Sequence, residues 1–178
     1  MRGIMKSSGQ ADTLDRALIV KMSTDAEPYH FVGSGLRNVY LVGVEYEIDA
    51  AAGSQSAVIP CLPNLMEAIG KALVEKKSPL SADEVRFLRK RLRFASKAFA
   101  ELVGLSSEQY SRVENGAAKL MPTVERVVRL LYATLAKLPP DESEEVAKTK
   151  WTAELNQAER IVACRDENDH WVVLRQAA

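Results

Sequence analysis

The chain has 178 residues, 47% of them hydrophobic and 27% charged, with Lys and Arg balancing Asp and Glu at a formal net charge of zero. That composition is an ordinary globular one, and the chain is long enough to bury at least one core. No apolar run approaches the roughly 18 residues a membrane span needs, and the start, with Asp12, lacks a signal-peptide layout, so a cytoplasmic protein is expected.

Residues 1–27 mix Gly, Ser, Asp and Lys with one short apolar run, Ala17-Leu18-Ile19-Val20, and are expected to be a flexible leader with one helical turn or strand. From Tyr29 the stretch YHFVGSGLRNVYLVGVEYEID is rich in Val, Tyr and Leu and partly alternates, which predicts two strands joined by a turn near Gly33–Gly35. AAAGSQS then suggests a loop and AVIP a short strand stopped by Pro60. In LPNLMEAIGKALVEKK, the residues Leu65, Met66, Ile69 and Leu73 recur at helical spacing, and Lys76 and Lys77 suit the negative end of a helix dipole. Ser78-Pro79 breaks that helix, so residues 28–78 are expected to form a small α+β module.

Ser81-Ala82-Asp83-Glu84 has the Ser-x-x-Glu form of a capping box, in which each side chain satisfies the other residue's free amide. Behind it Val85, Leu88 and Leu92 form an apolar stripe opposite a basic surface of Arg86, Lys90 and Arg93. Further helices are predicted over Ser96–Val103 and Ser107–Glu114. Pro122 opens another, with Val124, Val127, Val128, Leu131 and Leu135 inward, and Pro139-Pro140 closes it. The segment DESEEVAKTKWTAELNQA suggests a helix. ERIVACR, DEND and HWVVLRQ together suggest a β-hairpin that needs something to pack on, a partner subunit being one candidate. Residues 81–137 carry eleven Lys or Arg against six Asp or Glu and are the only basic segment, which favours an anionic partner there.

Within that segment, AELVGLSSEQYSRVENG (residues 100–116) has the residue types a helix-turn-helix requires. Ala100 permits close helix approach, Gly104 can take a left-handed conformation at the end of one helix, and Ser106 can cap the next. Phe99, Val103, Leu105, Tyr110 and Val113 are spaced to share a core. The face left over is Ser107, Glu108, Gln109, Ser111 and Arg112. Such side chains at a helix N-terminus suit base edges in the major groove: Gln for adenine, Arg for guanine, Glu for the amino group of cytosine. A solvated polar face without a target would carry the same residues.

Residues 85–131 resemble an XRE-type helix-turn-helix domain of the phage-repressor superfamily, through Leu88-Arg89, Phe99-Ala100-Glu101-Leu102-Val103-Gly104 and Glu114-Asn115-Gly116. The resemblance implies an ion pair between Arg89 and Glu114, and a DNA-binding set of Ser96, Lys97, Ser106, Ser107, Glu108, Gln109, Ser111, Arg112, Asn115 and Lys119. Ser96 stands where the family has a phosphate-contacting Gln; Asn115, Lys119 and the amides of the following loop are implied phosphate contacts. YHFVGSGLRNVYLVGVEYE, then IP, a helix and LSADEVRFLRKRL are similar to MqsA-type antitoxins, which join a small zinc-binding module to such a domain. Where that family has C-x-x-C-G, this chain has Asp49-Ala50-Ala51-Ala52-Gly53, and no pair precedes Tyr29. The two cysteines, Cys61 and Cys164, belong to no C-x-x-C pair, so neither a metal nor a cofactor is expected.

The expected fold is therefore α+β. It comprises the small N-terminal module, an all-α five-helix helix-turn-helix domain over residues 79–138, and a C-terminal helix plus β-hairpin over residues 139–178 as a dimerisation segment. The expected function is sequence-specific regulation of transcription by a homodimer that represses its own promoter, two recognition helices reading a pseudo-palindromic operator in double-stranded DNA. The alternative is an antitoxin of a type II pair that binds a toxin protein and autoregulates. His30 and His170 have no nucleophile at a recognisable spacing, so no enzyme is expected.

Overall fold

The computed structural model describes residues 18–139 and 160–176. They form a mixed α+β fold with strands β1 (Leu18–Met22), β2 (Tyr29–His30), β3 (Val39–Leu41), β4 (Glu45–Asp49) and β5 (Ser54–Ala57). Helices α1 (Leu62–Glu75), α2 (Ala82–Arg91), α3 (Ser96–Leu102), α4 (Ser107–Glu114) and α5 (Pro122–Leu135) follow, and β6 (Arg160–Arg165) and β7 (Trp171–Gln176) complete the order. One sheet is antiparallel with order β1-β4-β5; the other has order β2-β3-β6-β7, in which β3 and β6 run parallel and the other pairs antiparallel.

Several expectations change. Of the helical turn or strand expected at the apolar run of the leader, the strand forms, but as β1 it belongs to a sheet, paired with β4 from Leu18↔Asp49 to Met22↔Glu45. The fifth strand is SQSA rather than AVIP. The Asp49 side chain accepts the amides of Ala51 and Ala52, both at 3.0 Å, and its carbonyl accepts that of Gly53 at 2.8 Å, so the chain reverses at once and pairs Ser54 with Asp49. Val58 is left 89% exposed. The turn expected near Gly33–Gly35 is present: it is a 3-10 turn over Val32–Ser34 between the antiparallel strands β2 and β3. Residues 79–138 hold four helices, not five, since α1 ends before Ser78. The leader residues 1–17 and the helix expected in DESEEVAKTKWTAELNQA, with Trp151, lie outside the described residues.

A single hydrophobic core runs through both halves of the chain, from Leu36, Val39 and Leu41 through Leu65, Ile69 and Leu73 of α1 to Leu88, Phe99, Tyr110 and Val128. Helix α1 is its centre: one side meets β6 and β7, the other α2 and α5. Gly70 makes the α1–α5 approach possible, because a Cβ there would fall inside the Tyr132 hydroxyl. The β6–β7 hairpin packs within its own chain. Its Trp171 amide donates to Asn64 Oδ1 at 2.6 Å and its indole Nε1 donates to the Pro60 carbonyl at 2.8 Å, fastening the hairpin to the start of α1.

The break at Ser78-Pro79 ends α1 without loosening the chain. Arg129 of α5 is fully buried and its Nη1 donates to the carbonyls of Leu73, Val74 and Lys76, while Nη2 donates to that of Ser78 at 2.8 Å and to Glu125 Oε1 at 2.5 Å. One guanidinium thereby takes up two carbonyls that α1 leaves open in its last turn, those of Leu73 and Val74, and two of the segment that follows. Glu125 also accepts the Leu80 amide at 2.9 Å. Lys76 donates to Glu84 at 2.8 and 2.9 Å, and Glu84 accepts the Ser81 amide at 2.7 Å. Removing one partner from such a buried ionic network costs roughly 3–5 kcal/mol, because the other charge is left uncompensated. These contacts rotate α5 from the expected orientation: Glu125, Val128, Arg129, Tyr132 and Ala133 face inward, while Val127 and Leu135 are exposed.

Candidate nucleic-acid interface

Helices α2 to α5 are bounded by strong local signals. Ser81 and Ser106 each form a complete capping box, with Glu84 and Gln109 as the reciprocal partners. Helix α3 ends in a Schellman turn: Gly104 has φ +75°, its amide donates to the Glu101 carbonyl at 3.2 Å, and the Leu105 amide donates to the Ala100 carbonyl at 2.9 Å. The same device ends α4 at Gly116, where the Ala117 amide reaches the Arg112 carbonyl at 2.8 Å. Phe99, Ala100 and Tyr110 are fully buried between α3 and α4, with the Phe99 and Tyr110 rings 5.6 Å apart in a tilted arrangement.

Arg89 and Glu114 form the ion pair that the resemblance implies. Nε lies 2.8 Å from Oε1 and Nη2 3.2 Å from Oε2, while Nη1 donates to the Phe94 carbonyl at 2.7 Å. Burial alone would lower the Arg89 pKa, but the hydrogen bonds and charge of Glu114 outweigh it and hold the guanidinium above its ordinary value. Arg86, expected on the basic surface, instead turns inward: it donates to the Glu114 carbonyl and to Asp83. The pair therefore ties α2 to the C-terminal end of α4.

The ten expected site residues divide by what their polar atoms are doing. Ser107, Glu108, Arg112, Lys97 and Lys119 are exposed. Asn115 and Ser111 are exposed and bonded to each other at 3.4 Å. Ser106 is an N-cap, its hydroxyl accepting the Gln109 amide at 3.1 Å. Gln109 Oε1 accepts the Ser106 amide at 2.9 Å, so a bidentate grip on adenine, which needs both ends of the side-chain amide, requires the box to open. Ser96 is half-buried and donates to Glu114 Oε2 at 3.3 Å, which commits its one donor to the protein interior and places the start of α3 beside the end of α4.

The internal pairs also change the electrostatics. Glu84, Glu114 and Glu125 are buried against Lys76, Arg89 and Arg129. The exposed charged residues of 81–137 are Lys90, Arg91, Arg93, Lys97, Arg112, Lys119, Arg126 and Lys137, with Glu101 and Glu108. The surface is more basic than the sequence count suggests. Sequence reasoning did not place Arg91 or Arg126 on it; the signal available was the run Arg89-Lys90-Arg91-Leu92-Arg93.

Other chemistry is sparse. No group of three or more His, Cys, Asp or Glu that could hold a metal occurs among the described residues, and no helix among them is long and apolar enough to cross a membrane. Cys61 and Cys164 are both free, and burial pushes the Cys164 thiol pKa up. His30 meets the Arg37 carbonyl at 2.9 Å and stacks on Tyr40. Comparison with protein families, characterised proteins and solved structures finds no match to the chain.

Proposed function

We propose that the protein is a sequence-specific double-stranded DNA-binding regulator of transcription, with α3 and α4 as a helix-turn-helix and α4 as the recognition helix. In this reading a small N-terminal α+β module and the C-terminal hairpin flank the DNA-binding helices, and the protein acts as a homodimer that represses by covering a promoter, including its own. The observation that carries it is the division of labour on α4. Tyr110, Val113 and Glu114 are buried and build the turn, while Ser107, Glu108 and Arg112 stay exposed on a capped helix within the basic segment of the chain. Arg112 and Glu108 are the base-reading side chains, Lys97, Lys119 and Asn115 the phosphate contacts, and Ser106 and Gln109 hold the helix N-terminus in shape.

Selection of bound sequences from random DNA, followed by binding measurements over a salt series, tests this. An enriched two-fold symmetric motif is expected. Arg112→Ala should cost about 1–3 kcal/mol and relax preference at one base position, whereas Lys119→Ala should weaken all sequences alike and lower the salt slope by about one. No enriched motif, or an Arg112→Ala protein that binds its site as tightly as the parent, would sink the assignment.

A further inference from the structure

Strand β1 is an edge: β4 pairs with one side of it, and among the described residues no strand pairs with the other. All five of its residues are exposed, with Leu18, Val20 and Met22 at 50, 56 and 57%. Side chains alternate along a strand, so these three share one face, where they stand beside Asp49, Glu47 and Glu45 of β4. The backbone direction follows from the next residue. Ser23 donates its amide to the Val44 carbonyl at 2.9 Å and so faces β4. By the antiparallel alternation Lys21 and Ile19 face β4 as well, and the N–H and C=O groups of Leu18, Val20 and Met22 point away from it. Lysine on an edge ordinarily discourages further pairing, but Lys21 lies on the opposite face and meets Glu27 at 3.6 Å.

We infer that β1 pairs antiparallel with β1 of a second copy of this chain, about a two-fold axis at Val20. In that register Val20 faces Val20, Leu18 faces Met22 and Ile19 faces Lys21. Every outward N–H then meets a carbonyl, and six apolar side chains merge into one row. No like charges are opposed across the seam. The carboxylate rows of the two copies stand three strand spacings apart, about 14 Å, which exceeds the screening length of about 8 Å at physiological salt. An unrelated strand could supply the backbone bonds, but the reciprocal match of Leu18 with Met22 and the isologous contact at Val20 favour a second copy. The two three-stranded sheets become one sheet of six. A single short ribbon buries less than the roughly 1,200 Å² of a standard interface, so association in the micromolar range is expected. This deepens the homodimer in the function proposed above and rests on that reading only for its consequence on DNA.

Sedimentation equilibrium of the full chain across a micromolar concentration series should show a monomer–dimer equilibrium. Val20→Pro removes the outward N–H and the Val20 side chain of the seam but no bond to β4, so it should leave the circular dichroism and melting temperature unchanged while raising the dimer dissociation constant at least tenfold. As an independent arm, Val20→Cys with Cys61→Ser and Cys164→Ser should form a disulfide-linked dimer on mild oxidation, because facing residues about 5.5 Å apart lie within disulfide reach. A parent that stays monomeric, a Val20→Pro dimer as tight as the parent, or a Val20→Cys protein that does not cross-link each overturns the pairing. Loss of β1 dimers with DNA selection intact refutes only the pairing, whereas β1 dimers without any DNA selection refute the regulator.

Discussion

Tyr110 shows how a residue that reads as plain core carries an electrical cost. Its side chain is fully buried against Phe99, and its hydroxyl lies beside the Arg89–Glu114 pair, close enough to feel both charges but with no hydrogen bond of good geometry. Burial first, and then the charge of Glu114, push its pKa well above the usual tyrosine range. The sign follows: the folded pKa exceeds the unfolded value of about 10, so the native state keeps its proton longer and loses stability as pH rises above that value. Tyr132, raised by burial, contributes in the same direction. Tyr110→Phe is expected to stabilise by about 1 kcal/mol at neutral pH by removing an unsatisfied buried hydroxyl, and to flatten the fall in melting temperature in alkaline buffer. A variant that melts lower at neutral pH, or with an unchanged alkaline slope, would show that the hydroxyl is satisfied after all. The sequence already placed Tyr110 inside and, through the resemblance, paired Arg89 with Glu114. It could not show that Ser96 turns to Glu114 or that Gln109 closes its own capping box, because those are choices among side-chain rotamers made by neighbours distant in the chain.

Among the elements, α2 to α5 were legible because their ends are written locally. Ser81, Gly104, Ser106, Gly116 and Pro122 each act within a few residues of where they stand. Strand β5 was not, because SQSA has little β propensity and is held in the sheet by the Asp49–Gly53 turn and its register with β4. Two helix ends depart from the glycine pattern: Arg93 after α2 and Lys137 after α5 take φ +60° and +57° in the Schellman position where Gly104 and Gly116 stand elsewhere. The left-handed conformation costs an L-residue about 1–2 kcal/mol, part of which glycine gives back in unfolded-chain entropy. Lys137→Gly is therefore expected to raise stability by about 0.5–1 kcal/mol. Thermal unfolding of the exposed Lys137→Gly variant checks this, with Lys137→Ala as a control for loss of the charge; equal effects of the two would remove the backbone explanation.

For the molecule as a whole, the parallel pairing of β3 with β6 brings together segments separated by α1 to α5, from Val39↔Ile161 to Leu41↔Ala163. No local pattern encodes such a contact, which is why the hairpin was legible as a hairpin and its docking place was not. The Ser78-Pro79 break was equally ambiguous, since a helix stop looks alike in sequence whether a linker or a buried junction follows. Here Arg129, Glu125, Lys76 and Glu84 bind the two sides together, and Gly70 lets α1 lie directly on Tyr132. A core continuous across the break should unfold in one step. Gly70→Ala sets a methyl group against the Tyr132 hydroxyl and ring, which is itself buried, so a loss of about 1–3 kcal/mol is expected. Far-UV circular dichroism reports mainly the helices, and tryptophan fluorescence includes Trp171, the first residue of β7, fastened to the start of α1. Both probes should shift together to lower denaturant in Gly70→Ala, with coincident midpoints in parent and variant. Separate midpoints, with only the circular dichroism transition moved, would mean that the sheets fold independently of α2–α5 and that the Arg129 junction is a contact between two units rather than the middle of one.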